Sequence, residues 1–128
     1  MAVYYISGCP CCDCTGSVEV VAYYVEGANW DDPWDLTGIT LRWYDDTGTL
    51  RGSTTIQASD IPNLPTQYAY NQVPSTGDTL TLSLNTAQSF NLPCGAVTLP
   101  ANTQLNFTFT RGWGGGNGWY MTAPIIVQ

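Results

Sequence analysis

The chain has no histidine and no lysine, and only three arginines among 128 residues. Charged residues make up 10% of it, against roughly 25% in an average soluble domain. Without histidine, the commonest general base is missing, and with it Ser-His, Cys-His and His-metal sites. Without lysine there is no Schiff-base chemistry and no P-loop lysine. Three cations against ten acids give a net charge of −7. Such a chain neutralises few phosphates and is repelled by anionic lipid, so neither nucleic acid nor a membrane surface is an expected partner.

Long apolar runs are also missing. Nothing approaches the roughly 18 residues of a membrane helix. The start, Met1-Ala2-Val3-Tyr4-Tyr5-Ile6-Ser7-Gly8-Cys9, lacks a secretory leader's basic region and apolar stretch. Either the chain is made and used inside a cell or a leader has already been removed, and the starting Met favours the first reading. No stretch carries helical periodicity without a Gly or Pro break.

What fills the space is apolar, hydroxyl and aromatic. Hydrophobic residues are 44%, enough for a core, and there are seventeen Thr, eight Tyr, five Trp and thirteen Gly. Period-two alternation dominates. Leu80, Leu82 and Leu84 alternate with Thr79, Thr81 and Ser83. Leu105, Phe107 and Phe109 alternate with Asn106, Thr108 and Thr110, and Ile39, Leu41 and Trp43 with Thr40, Arg42 and Tyr44. From Val18 to Val25 both alternating faces are largely apolar, the mark of a central or covered strand. Shorter strands are expected at Val3–Ser7, Leu50–Gln57, Gln67–Gln72, Gly118–Thr122 and Ile125–Gln128. Asp46-Thr47-Gly48 and Ser75-Thr76-Gly77-Asp78 read as turns, and Asp60–Thr66 as a loop with polyproline character. The expected fold is all-β: one antiparallel β-sandwich of roughly seven to nine strands spanning residues 1–128, with a Cys-rich N-terminal arm over residues 1–16.

Two stretches carry a resemblance. Trp43-Tyr44-Asp45-Asp46-Thr47-Gly48-Thr49-Leu50 resembles the strand–Asp–Gly–strand hairpin of immunoglobulin-like modules. Leu99-Pro100-Ala101-Asn102-Thr103-Gln104-Leu105-Asn106-Phe107 resembles the Pro-led entry to a late strand of such modules. They cover about a fifth of the chain, and the inter-sheet Cys pair around a Trp is not matched. The Lys-poor, Thr-, Tyr- and Gly-rich character is similar to decoration, tail and fibre proteins of bacterial viruses, and to bacterial adhesion modules. The resemblance implies an immunoglobulin-like or jelly-roll sandwich with a structural role.

Three features are candidates for function. Cys9, Cys11, Cys12 and Cys14 lie within six positions, and Cys94 stands alone. Thiolates bind zinc or build iron–sulfur centres, though these are not two separated C-x-x-C knuckles. A second reading is disulfide bonding, with Cys9 or Cys14 joined to Cys94 and the remaining thiols paired locally or between subunits, and a third is free thiols, packed or exposed. Trp30-Asp31-Asp32-Pro33-Trp34-Asp35 places two Trp around an acidic pair. Arg111-Gly112-Trp113-Gly114-Gly115-Gly116-Asn117-Gly118-Trp119-Tyr120 reads as a Gly-rich hairpin loop bearing aromatics. Trp30, Trp34, Trp113, Trp119 and Tyr120 are thus candidates for an interface or for a platform on which sugars stack, unless they fold back onto the core.

The expected function is non-catalytic: a subunit of a repeating assembly, either a virion component or a filament subunit, packed against copies of itself or other proteins of the same particle. A carbohydrate-binding or adhesive module on a cell surface is the alternative, and a small Cys-cluster metal protein a second one. No catalytic residues and no required cofactor are expected.

Overall fold

The structure, a computed structural model, describes residues 3–4, 16–92, 95–112 and 116–127. Eleven strands run through these residues in chain order: β1 (Val3–Tyr4), β2 (Gly16–Val25), β3 (Trp34–Asp45), β4 (Leu50–Ile56), β5 (Gln67–Tyr68), β6 (Thr79–Ser83), β7 (Gln88–Leu92), β8 (Gly95–Leu99), β9 (Gln104–Thr110), β10 (Gly118–Met121) and β11 (Ile125–Val127). One 3-10 turn, Ala58–Asp60, follows β4. The fold is a β-sandwich, antiparallel throughout the described residues except where β1 runs parallel to β11. Its strand count exceeds the expected seven to nine because the β7–β8 ribbon was not anticipated.

Strand β2 organises the large sheet. Along one edge it pairs with β3 over its whole length, and the other edge is shared by β11 at Gly16–Val18 and by β10 at Val21–Tyr23. The sheet continues from β10 to β9 to β6 on one side and from β3 to β4 on the other. Val18, Val20, Ala22 and Tyr24 point from β2 into the core, each fully buried. They meet Ile39, Leu41 and Trp43 of β3, Leu105, Phe107 and Phe109 of β9, and Trp119 and Met121 of β10. The β7–β8 ribbon lays Phe90, Val97 and Leu99 onto this core, while Ser89 and Thr98 share a hydroxyl hydrogen bond of 2.8 Å on its exposed face. Val21, on the opposite face of β2, is also fully buried, as expected of a strand with two apolar faces. Its cross-strand neighbours are Thr40 and Tyr120.

Turns fall where Gly permits them. Gly48 closes the β3–β4 hairpin at φ 82° and Gly77 the turn before β6 at φ 98°. Asp45 ties the first hairpin. Its Oδ1 accepts the Thr47 hydroxyl at 2.6 Å and the Thr49 N–H at 2.9 Å, and its Oδ2 accepts Arg51 Nε at 2.7 Å. The Thr47 hydroxyl first, and Arg51 after it, hold this carboxyl well below the usual range. The strand expected at Gln67–Gln72 stops at Tyr68, because Ala69–Gln72 closes a turn through a 2.9 Å Gln72 N–H to Ala69 O bond. The Asp60–Thr66 loop is anchored, with Ile61 and Leu64 buried.

Two glycines, Gly16 against the Tyr44 carbonyl and Gly118 against the Ala22 carbonyl, permit close strand approach. A Cβ on Gly118 would stand 2.1 Å from the Ala22 carbonyl oxygen, whereas one on Gly52 meets nothing within 4 Å. Gly118→Ala is expected to cost about 1–3 kcal/mol or more by forcing β10 from β2, and Gly52→Ala to stay within about 0.5 kcal/mol of the parent. Urea unfolding midpoints check this; equal losses at the two positions would contradict the pairing described.

Candidate functional site

The two aromatic loops singled out in the sequence converge on one end of the sandwich. Trp34 opens β3 and pairs with Tyr68 of β5, beside a 2.7 Å bond from Gln67 Nε2 to Asp35 Oδ1. The Arg111 guanidinium lies 5.0 Å above the Trp34 ring, a cation–π contact. Asn117 is buried and clamps the stem of the Gly-rich hairpin. Its Oδ1 accepts the Gly112 N–H at 2.9 Å and its backbone carbonyl accepts the Tyr24 N–H at 2.9 Å. Glu26, Trp34, Arg111, Gly112 and Asn117 line an open depression of about 340 Å³. It offers one carboxylate, one guanidinium and one amide, a set suited to polar contact and without a nucleophile–base pair.

The five aromatic candidates separate. Trp34 is 6% and Trp119 3% exposed. Trp119 packs its ring edge-on to Phe109 at 4.9 Å, and its Nε1 donates to the Tyr68 hydroxyl at 3.1 Å. Neither can offer a face to a sugar, so a platform of four exposed Trp does not form; core burial outweighs exposure for these large rings. Trp30 is 81% exposed and meets Tyr70, itself 42% exposed, edge-to-face at 5.3 Å. Tyr120 lies on the outer sheet face instead, against Tyr23 at 5.8 Å. Trp113 and all five cysteines, Cys9, Cys11, Cys12, Cys14 and Cys94, lie outside the described residues. Among the described residues no three His, Cys, Asp or Glu side chains gather as metal ligands.

Each arginine is engaged within the fold. Arg42 donates to the Tyr23 hydroxyl, lies over the Tyr23 ring at 5.4 Å and stands 3.9 Å from Glu19, which also accepts the Tyr44 hydroxyl. Arg51 holds Asp45, and Arg111 covers Trp34. Sequence reasoning missed Tyr70 and Tyr68 as partners of the Trp residues. Each lies some 34 to 51 residues from its ring partner, beyond any local pattern. No protein-family model, curated protein or solved structure matches the chain.

A tyrosine pair underlies this end, with Tyr24 fully buried and Tyr68 half-buried. The Tyr24 hydroxyl donates to the Pro65 carbonyl, and its ring lies 5.2 Å from that of Tyr68. Burial first, and the neighbouring Tyr68 second, push the Tyr24 hydroxyl far above its ordinary value; burial also raises Tyr68 and the outer-face Tyr120. A raised folded value means stability that is intact below pH of about 10 and lost as pH climbs beyond it. Spectrophotometric titration is expected to show ionisation of Tyr24 only together with unfolding, and of Tyr68 above the range of a free tyrosine. Tyr24→Phe, at a cost of about 1 kcal/mol for the lost hydrogen bond, is expected to flatten the alkaline decline. Ionisation of all eight tyrosines in the folded state near pH of about 10 would contradict the burial of Tyr24.

Proposed function

We propose that this chain is a non-catalytic structural subunit of a repeating assembly: a virion component such as a decoration, tail or fibre protein, or a filament subunit. It works by packing against copies of itself and against other proteins of the same particle. The observation that carries this reading is Trp30, 81% exposed at the tip of the sandwich beside the exposed Tyr70. A large ring held in water is costly for a solitary domain and is the residue type that anchors interfaces. The surroundings suit the same role. The three cations are engaged in internal pairs and ring contacts, and exposed rows such as Thr81–Asn106, Thr108–Thr122 and Ser89–Thr98 carry hydroxyl and amide groups. Such groups desolvate at lower cost than ions and pair readily across a subunit boundary. The likeness to Lys-poor structural proteins of bacterial viruses points the same way. An assembly of this kind would form in the host cytosol and leave with the particle.

The same exposed ring pair supports a second reading, a carbohydrate-binding or adhesive module. Its rings are inclined by 84°, so they do not form one flat stacking surface.

Native mass spectrometry across dilution, with and without reductant, separates the two. Trp30→Ala is expected to keep the fold and to weaken higher-order association about 30-fold, the equivalent of about 2 kcal/mol. A monomeric wild type whose glycan-array signal vanishes in Trp30→Ala and Tyr70→Ala would overturn the structural reading in favour of the adhesive one.

A further inference from the structure

Strand β6 ends the large sheet and is hydrogen-bonded, among the described residues, to β9 alone. Its backbone polarity can be read from the bonds at its two ends. The Leu84 N–H donates to Thr103 O at 3.0 Å, and Leu84 O accepts the Asn102 N–H at 2.8 Å. At the other end, Asp78 O accepts the Phe109 N–H at 2.8 Å. Even-numbered residues therefore turn their polar groups toward β9. By the alternation of antiparallel pairing, Thr79, Thr81 and Ser83 turn theirs to the open side. The next odd residue confirms the direction: the Asn85 N–H, on that open side, donates to Asp60 O at 2.6 Å. The loop carrying Asp60 thus closes the edge beyond Ser83 and, with Pro62 and Asn63 lining a groove shared with Thr81–Ser83, leaves the open side of Thr79–Ser83 without a strand partner among the described residues.

This edge lacks the usual protection. Exposed edges are commonly guarded by Lys, Pro, an inward charge or a bulge. Thr79-Leu80-Thr81-Leu82-Ser83 has no charge and no Pro, and its register against β9 is unbroken. A groove of about 290 Å³ runs beside it, with Pro62, Asn63 and Asn102 among its lining residues. Leu80 and Leu82 lie only partly buried against the core.

We propose that the open edge of β6 receives β6 of a second copy of this chain, antiparallel, about a two-fold axis at Thr81. The proposal rests on the reading of the chain as a self-assembling subunit and names one of its contacts. The pattern itself selects the occupant. Hydroxyl, Leu, hydroxyl, Leu, hydroxyl reads alike in both directions. Antiparallel self-pairing sets Thr81 against Thr81 of the second copy and Thr79 against Ser83 of the second copy. About six backbone hydrogen bonds result, two for each hydrogen-bonded pair. Leu80 then meets Leu82 of the second copy at the closer, non-hydrogen-bonded spacing, which completes the cover of both side chains. Two chains of net charge −7 meet on a strip without ions, so the contact is made where their repulsion is least. A two-fold contact closes on itself. The loop end with Trp30 supplies the other contact that a repeating assembly needs.

Residue-resolved amide hydrogen exchange above and below the association concentration tests this. In the associated protein the Thr79, Thr81 and Ser83 amides are expected to exchange roughly tenfold more slowly or better than in the monomer. The Leu80 and Leu82 amides, bonded to β9, stay slow in both. Thr81→Lys sets two ammonium groups opposite each other and is expected to abolish the gain, whereas Thr55→Lys on the exposed surface of β4 leaves it. A slow Leu82 amide in Thr81→Lys reports that β6 remains paired with β9; should the variant disturb β6, the wild-type pattern alone decides. Associated protein whose Thr79, Thr81 and Ser83 amides exchange as in the monomer would overturn the edge pairing and leave the assembly reading standing. A chain monomeric at every concentration would overturn the assembly reading itself, and the pairing with it.

Discussion

Strand β2 is the constraint on which the rest of the sandwich depends. It is paired along both edges, with β3 on one side and with β10 and β11 on the other, and buried on both faces over Val18–Ala22 except at the half-buried Glu19. Two glycines let neighbours reach it: Gly118 places β10 against the Ala22 carbonyl, and Gly16 sits against the Tyr44 carbonyl of β3. With the centre fixed in this way, the sheet grows outward until β6 is left at its margin. The aromatic core of Tyr24, Phe109 and Trp119 is set by residues paired directly with this strand or one strand further out.

Charge sets the character of what remains outside. A chain with three cations cannot scatter ion pairs over its surface, and these three are drawn into contacts with Glu19, Asp45, Tyr23 and Trp34. Among the described residues the exterior is left mostly to hydroxyls, amides and carboxylates, with the Trp30–Tyr70 ring pair, Val25 and Leu50 also exposed. Solitary domains commonly stay dispersed behind a mixed charged surface; a surface of this composition suits contact with other protein. The proposed role in a repeating assembly rests on the exposed Trp30, with that physical contrast in support, rather than on any pocket.

Much of the architecture was legible in the residues, because alternation reports burial directly. The doubly apolar stretch Val18–Val25 marked the central strand, Leu105-Asn106-Phe107-Thr108-Phe109 marked β9, and the Gly48 and Gly77 turns fell where expected. The β7–β8 ribbon was not legible: Gln88–Leu99 is interrupted by Pro93 and Gly95, and its buried side chains come in short, irregular order. Nor could the sequence decide among the tryptophans. Trp30 and Trp34 share one acidic loop motif, yet one is in water and the other buried, because only Trp34 is drawn into the pairing with β5 and capped by Arg111. That difference arises from contacts 34 and 77 residues away in the chain, where local patterns carry no information.

The central claim, that this protein associates through uncharged surface, is tested most directly by sedimentation of the wild-type chain over a range of concentration and salt. Contacts between hydroxyl, leucine and aromatic groups are little screened, while the mutual repulsion of chains of net charge −7 weakens as ionic strength rises. The account predicts association that grows with concentration and holds or strengthens with added salt. A monomer throughout, or association that dissolves as salt is added, would contradict it.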